Sequence, residues 1–315
     1  MREVTAGILR IGTRSSALAL WQAHWVRQRL EERHAGLRVE LVEIQTRGDK
    51  ILDAPLSRIG DKGLFTREIE RALLDGEIDL AVHSLKDLPT TLPDGLVLGA
   101  VSEREDPRDA LVSKGVTSLE ELPRGGTVAT GSLRRRAQLL HLRPDLRVVD
   151  IRGNVQTRLR KFDESQWDGM IMARAGLVRL GLEERIACDL TRAQMLSAVS
   201  QGALGLEIRE GDTATAEWIA SIECAETRAV TTAERAFLHA LEGGCQVPVA
   251  ALGQVVEGWL ELDGLVVSLD GRCYLRARTR GPVAEAERIG ADLADVLLAD
   301  GAEEVLREIR NAAEK

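Results

Sequence analysis

Six cations stand where short apolar runs give way to turns: Arg14, Lys86, Arg134, Arg135, Arg152 and Arg158. A guanidinium presents a planar fork matched to carboxylates and phosphates, so forks at successive turns suit a ligand that carries several carboxylates. One acid keeps them company. Asp87 follows Lys86 directly, and a lone carboxylate in a cationic crevice can accept a hydrogen bond from a ligand N–H and stabilise a passing positive charge. One thiol is also placed for chemistry: Cys245, between Gly244 and Gln246 just past a helical pattern, where glycine makes an exposed loop suited to a nucleophile or a covalent anchor. Plainer readings exist for each, namely surface salt bridges for the cations, a surface ion pair for Asp87 and a small buried hydrophobe for Cys245.

The elements that must hold these residues repeat one local pattern through the N-terminal two-thirds of the chain. An apolar run reaches a turn bearing Ser, Thr, Arg or Asn and then a helical period. Leu9 to Thr13 leads through Arg14, Ser15 and Ser16 into a helix whose apolar face reads Leu18, Trp21, Trp25, Val26 and Leu30. Ile78 to Val82 reads as a buried strand ending at His83-Ser84-Leu85-Lys86-Asp87. Thr127 to Thr130 runs through Gly131 to Ser132, a good N-cap, and on to Arg134 and Arg135, and Val148 to Ile151 runs through Arg152, Gly153 and Asn154 to a helix with Arg158 and Arg160. Strands alternating with helices predict mostly parallel sheets covered on both faces, with ligands at the carboxyl ends of the strands. Helix N-termini there add unpaired N–H groups and a positive dipole end. The stretches Ser102 to Asp109 and Ser197 to Gly205 read as an outgoing and a return crossing between two such α/β units. Past residue 221 come a helix from Thr231 to Leu241, strands such as Leu265 to Leu269 and Cys273 to Arg278 set off by Asp-Gly turns, and closing helices near Val283 to Ala299 and Ala302 to Ala313.

Composition narrows the function classes. A length of 315 residues predicts two or three domains. The absence of a long apolar run and of a leader pattern points to the cytosol. With 42 Lys and Arg against 50 Asp and Glu, the net charge of −8 argues against a general nucleic-acid binder, and only six of the 42 cations are lysines. Cys188, Cys224, Cys245 and Cys273 lie far apart, which suggests free thiols and no zinc site. There is no Gly-Lys dipeptide for a P-loop, no GxGxxG, no HExxH and no serine preceded two positions earlier by glycine. An enzyme acting on a polycarboxylate and a solute-binding or sensor module of the hinged α/β type both survive.

A resemblance then covers nearly the whole chain. Leu9-Arg-Ile-Gly-Thr-Arg-Ser-Ser-Ala-Leu-Ala-Leu-Trp-Gln-Ala23, Thr46-Arg-Gly-Asp-Lys50, Gly60-Asp-Lys-Gly-Leu-Phe65, His83-Ser-Leu-Lys-Asp-Leu-Pro89, Asp106-Pro-Arg-Asp-Ala110, Gly131-Ser-Leu-Arg-Arg135, Arg152-Gly-Asn-Val155 and Leu241-Glu-Gly-Gly-Cys-Gln-Val-Pro248 resemble the porphobilinogen deaminase family in order and spacing. The resemblance implies two hinged α/β domains of periplasmic-binding-protein type, 1–102 with 203–220 and 103–202, and a smaller C-terminal α+β domain, 221–315, with a three-stranded antiparallel sheet. It implies a dipyrromethane cofactor in the cleft between the first two domains, tethered by a thioether to Cys245. On this carry-over Asp87 is catalytic. Ser84, Lys86, Asp87, Thr130, Ser132, Arg134, Arg135 and Gly153 hold the cofactor, and Arg14, Arg152, Arg158, Arg179 and Gln201 hold substrate. The implied reaction joins four porphobilinogens head to tail into the linear tetrapyrrole hydroxymethylbilane with loss of ammonia, by a monomer, without metal, membrane or nucleic acid. Two departures from the family pattern stand out: Ser197-Ala-Val-Ser-Gln-Gly-Ala203 replaces Pro-Ala-x-Gly-Gln-Gly-Ala at the return crossing, and Gly131 replaces a serine.

Overall fold

Short β-branched runs flanked by turn residues become the strands of a first sheet. In the computed structural model, which describes residues 7–50, 65–241 and 247–313, β1 (Ile8–Thr13) pairs in parallel with β2 (Arg38–Glu43) and with β3 (Leu80–Ser84). The turn after β1 enters α1 (Ala17–Arg33), where the Ser16 hydroxyl accepts from the Ala19 N–H and so caps an otherwise orphaned donor. The face that α1 buries is Ala19, Gln22, Ala23, Val26 and Leu30, which corrects the expected Leu18, Trp21 and Trp25 face. Small side chains let the helix lie close on the sheet, and Trp25 packs only at the margin of the core. On the opposite face α2 (Arg67–Leu74) buries Ile69 and Leu73 against Ile78, Ala81 and Leu96. β4 (Leu96–Val101) and the much later β10 (Leu204–Arg209) complete the order β2-β1-β3-β10-β4, and α6 (Thr213–Ile219) follows β10.

The second sheet repeats the plan. β5 (Asp109–Ser113), β6 (Thr127–Ala129), β7 (Arg147–Val149), β8 (Gly169–Ala173) and β9 (Cys188–Asp189) stand in the order β7-β6-β8-β5-β9. α3 (Leu133–Leu142), α4 (Val155–Glu164) and α5 (Arg174–Arg179) follow β6, β7 and β8 in turn. Phe162 and Leu159 of α4 cover one face and Leu139 of α3 the other. The expectation of mostly parallel sheets needs correction, because β1, β2 and β3 pair in parallel, as do β6, β7 and β8, whereas β10 and β5 are antiparallel to both neighbours. Each of those two strands arrives directly from a crossing segment, with no helix to turn the chain round before it joins the sheet.

The last sheet, β11 (Val249–Val256), β12 (Trp259–Val267) and β13 (Tyr274–Pro282), is antiparallel throughout. One face packs on α7 (Ala225–Ala240), α8 (Ala286–Leu297) and α9 (Glu303–Ala313), with Phe237, Leu262, Leu293 and Leu297 at the centre. The Asp-Gly turn expected between these strands is Asp270-Gly271, with Gly271 at φ +75°. Asp263-Gly264, the same dipeptide, lies instead in mid-strand. Gly264 leaves room for the Phe237 ring, which a Cβ would meet at 2.8 Å, and the fully buried Asp263 carboxylate accepts from Arg276 at 2.6 and 2.9 Å, Arg192 at 3.0 Å and Arg278 at 3.0 Å. A buried charge tied to three guanidiniums holds its place in a strand where a free aspartate would break it.

By internal contacts the chain forms two units, and it passes from one to the other between Glu105 and Asp106, returns between Gln201 and Gly202, and passes again after Arg228. Within the first unit the crossings are bonded side by side, Glu105 N–H to Gly202 O at 3.1 Å. Ser200, one of the departures from the family pattern, takes φ +61°, the left-handed region in which glycine costs nothing and other residues lose about 1 kcal/mol. Its hydroxyl is buried with no hydrogen-bond partner, while its N–H donates to Glu234 at 2.6 Å. Ser200→Gly should therefore stabilise the protein by about 1 kcal/mol, after allowing for the extra freedom of glycine in the unfolded chain, and raise the thermal midpoint by a few degrees. A midpoint equal to or below that of the native protein would show that the strain is relieved elsewhere.

Candidate functional site

In the first unit the carboxyl ends of β1 and β3 carry the residues of interest. Past Thr13 the Arg14 guanidinium lies over the Phe65 ring, 4.2 Å from its centroid. β3 ends at Ser84, whose hydroxyl accepts from the Gln22 amide at 2.7 Å, and the chain then makes a single 3₁₀ turn, Leu85–Asp87. Leu85 N–H donates to Ala203 O at 3.0 Å, which ties the turn to the start of β10. Buried Leu85 and Leu88 bracket the turn, so Lys86 is half-buried and Asp87 is exposed. Among the described residues the Asp87 carboxylate has no hydrogen-bond or ion-pair partner. A carboxylate left open beside cations, on a turn pinned at both ends, is disposed to accept from a ligand.

Sequence reasoning missed the support beneath this turn. His83, the residue before Ser84, meets Glu207 of β10 at 3.1 Å with both side chains buried. Glu70 of α2 joins them, and burial first, with repulsion from Glu207 added, pushes its carboxyl above the usual carboxylate range. Only the pairing of β10 with β3 brings Glu207 beside His83, so no local signal could have announced it.

The second unit gathers the larger set. β6, β7 and β8 run parallel, and their carboxyl ends therefore share one edge of the sheet. There the Thr130 hydroxyl accepts from Ser132 N–H at 3.3 Å, and Ser132 caps α3 by accepting from Arg135 N–H at 3.4 Å. Gly131 sits where a Cβ would meet the Ile151 carbonyl at 2.6 Å, so the serine of the family pattern has no room without a shift of one turn. After β7, Arg152 is half-buried, and burial lowers the pKa of its guanidinium although Asp150 pulls the other way. Gly153 takes φ +119°, and Arg158 donates through Nε to its carbonyl at 2.8 Å. Arg179 on α5 is buried.

Arg134 and Arg135 are buried too, and both face Asp109 at the start of β5. Arg135 forks onto Asp109 Oδ1 through Nε at 3.1 Å and Nη2 at 2.7 Å, and its Nη1 donates to Ile171 O at 3.2 Å. Arg134 Nη1 lies 2.8 Å from Asp109 Oδ2 and donates to Leu196 O at 2.6 Å. Burial alone would raise the Asp109 carboxyl, but Arg134 and Arg135 outweigh it and hold it far below the usual carboxylate range. Gln201, expected at the substrate, is instead buried with its amide donating to Pro107 O at 2.7 Å and Asp109 Oδ1 at 2.9 Å. That amide is committed to the crossing. Gly243, Gly244 and Cys245 lie outside the described residues; α7 ends at Ala240 just before them and β11 begins at Val249 just after. The other cysteines, Cys188, Cys224 and Cys273, are free thiols.

Comparison with known proteins adds an independent line. The family described as porphobilinogen deaminase, dipyromethane cofactor binding domain, matches residues 9–217, and its C-terminal domain matches residues 229–299. The porphobilinogen deaminase of Syntrophotalea carbinolica is 55% identical over 303 residues, 96% of each chain. That of Desulforudis audaxviator is 54% identical over 303 residues, 96% of this chain and 98% of its own, and that of Geobacter metallireducens is 52% identical over 301 residues, 96% of this chain and 94% of its own. Among solved structures, the periplasmic aliphatic sulphonate binding protein of Escherichia coli overlays with a TM-score of 0.41 at 15% identity, over 93% of this chain and 87% of that one, too loosely to bear on function.

The carboxylates that anchor these arginines set the acid limit of the fold. Asp109 and Asp263 are both held below the unfolded value by their guanidinium partners, despite burial pushing the other way. Their stabilisation is complete above the unfolded carboxylate pKa of about 4 and is lost as the pH falls from there toward the folded values. Urea midpoints should therefore fall steeply below about pH 4, and Asp263→Asn should lower the midpoint at neutral pH while flattening that acid limb. An acid limb as steep in the variant as in the native chain would remove Asp263 from this role.

Proposed function

The chain belongs to the porphobilinogen deaminase family, and from that premise we propose how its residues divide the work of joining four porphobilinogens into hydroxymethylbilane with loss of ammonia. It is a transferase of tetrapyrrole synthesis, and its N-terminal portion is the family's dipyrromethane-binding region. The donor set suits such a group: hydroxyls, helix N–H groups and guanidiniums lie at the β6, β7 and β8 ends, and an exposed, unpartnered Asp87 lies at the β3 end. When bound through Cys245, the dipyrromethane supplies a tethered pyrrole whose free α-carbon is the nucleophile. Everything else falls to the chain's own side chains.

Each porphobilinogen brings an acetate and a propionate, so negative charge accumulates with every ring and must be met by fixed cations. Thr130, Ser132, Arg134, Arg135 and Gly153 are assigned to the cofactor's side chains on the second unit, with Ser84 and Lys86 on the first. Arg14, Arg152, Arg158 and Arg179 are assigned to incoming and growing carboxylates. Gln201 is kept as a support and not as a substrate contact, since its amide is buried in the crossing. The observation that carries the reading is the open carboxylate of Asp87 on its pinned turn. Asp87 accepts from pyrrole N–H groups and faces the positive charge that develops when ammonia leaves, an interaction worth about 4 kcal/mol at about 4 Å in a partly shielded site. The same reading divides the chain into 1–102 with 203–220, 103–202 and 221–315, a division supported by three sheets with separate cores. It makes the protein a cytoplasmic monomer; no helix among the described residues is long and apolar enough to cross a membrane.

Intact mass tests the anchor. The native protein should carry two deaminated porphobilinogen units and gain further discrete units on incubation with porphobilinogen, whereas Cys245→Ala should gain none. If neither protein ever carries covalent mass, the thiol is not the anchor and a non-catalytic binding module becomes the better reading. Asp87→Ala should keep its cofactor mass and lose turnover by about a thousandfold, the rate equivalent of about 4 kcal/mol. Near-normal turnover in that variant would remove Asp87 from the reaction.

A further inference from the structure

The arginines assigned to carboxylate binding at the β6 end are oriented from outside their own helix. Asp109 opens β5, is 0% exposed, and gathers three chain segments on one carboxylate. Arg134 and Arg135 approach from the first turn of α3, at 2.8 and 2.7 Å, and Gln201 approaches from the return crossing at 2.9 Å. Gln201 also holds Pro107 O at 2.7 Å, so the strand carrying Asp109 and the amide that fixes its Oδ1 belong to one clamp. The far ends of the guanidiniums are taken by fixed carbonyls, Leu196 O and Ile171 O. Nothing on α3 itself sets the aim of either fork. A second consequence is electrostatic: two buried guanidiniums and one carboxylate leave one net positive charge, enough to draw a ligand carboxylate without demanding two.

We propose that Asp109, held by Gln201, is a positioning residue that aims Arg134 and Arg135 at the ligand carboxylate. The inference rests on the reading that this arginine pair binds the carboxylates of the cofactor or the growing chain. An aspartate places its carboxylate with two torsions and little slack, and a glutamate in the same place keeps the charge but displaces it by a methylene. A residue needed only to neutralise buried charge would tolerate that change in activity, and a residue that sets aim would not.

Asp109→Glu and Gln201→Met separate these roles in the full-length protein. Gln201→Met keeps the ion pairs and the shape and removes the amide that steadies Asp109. Because Arg134 and Arg135 are assigned to a group that stays attached, misaim should appear in the fraction of chains that carry cofactor mass and in kcat: Asp109→Glu should lose about tenfold or more in one or the other, with the KM for porphobilinogen within about threefold of native. Gln201→Met should lower kcat or cofactor occupancy by about threefold or more with the thermal midpoint within about 3 °C of native. A kcat and a cofactor occupancy both within about twofold of native in Gln201→Met overturn the inference, whether or not Asp109→Glu folds. Native protein that consumes no porphobilinogen overturns the functional reading itself, whereas normal native turnover with unchanged kcat and occupancy in Gln201→Met overturns this inference alone.

Discussion

A guanidinium taken out of water must have an anion within a few ångströms, and much of the second unit is arranged around two buried carboxylates that meet this demand. Asp109 holds Arg134 and Arg135 at the start of α3, and Asp263 holds Arg192, Arg276 and Arg278 on the C-terminal sheet. Remove either carboxylate and several cations lose their counter-ion together, so these acids constrain more of the structure than any single hydrophobic contact. Arginine suits the role where lysine would not, because its five donors can serve a carboxylate and a backbone carbonyl at once, as Arg135 does with Asp109 and Ile171.

The crossings inherit this constraint. Asp109 lies at the end of the outgoing crossing, where β5 begins, and Gln201 lies within the return crossing, so the same carboxylate that fixes the arginines also fastens the two connections. Glu234 does a similar task further along, accepting from Ser200 N–H at 2.6 Å and from Gly253 N–H at 2.8 Å while itself fully buried. It joins the return crossing to α7 and β11, the elements that precede and follow Cys245 in the sequence. The left-handed backbone at Ser200 is thus held against its local preference by a charge-assisted hydrogen bond.

In the first unit the logic is lighter. The turn bearing Asp87 is fixed through its backbone to Ala203 and through buried leucines, with His83 and Glu207 paired beneath it, and so its carboxylate needs no internal partner.

What the sequence by itself determined is what depends on neighbours in the chain. The caps at Ser16, Ser132 and Asn154, the strand-to-helix turns that present Arg14, Lys86, Arg152 and Arg158, the Asp270-Gly271 turn and the two crossings follow from side-chain chemistry within a few residues. The family motifs also run in register along the chain, so membership was legible before any fold was seen. Only the tertiary structure decided the antiparallel insertion of β5 and β10, the burial of Asp263-Gly264 in mid-strand, the small-residue face of α1, and the capture of Arg134, Arg135 and Gln201 by Asp109. Each of these joins residues distant in sequence, and such pairings are selected by which surfaces pack together and which buried charges find partners, neither of which is encoded in local spacing.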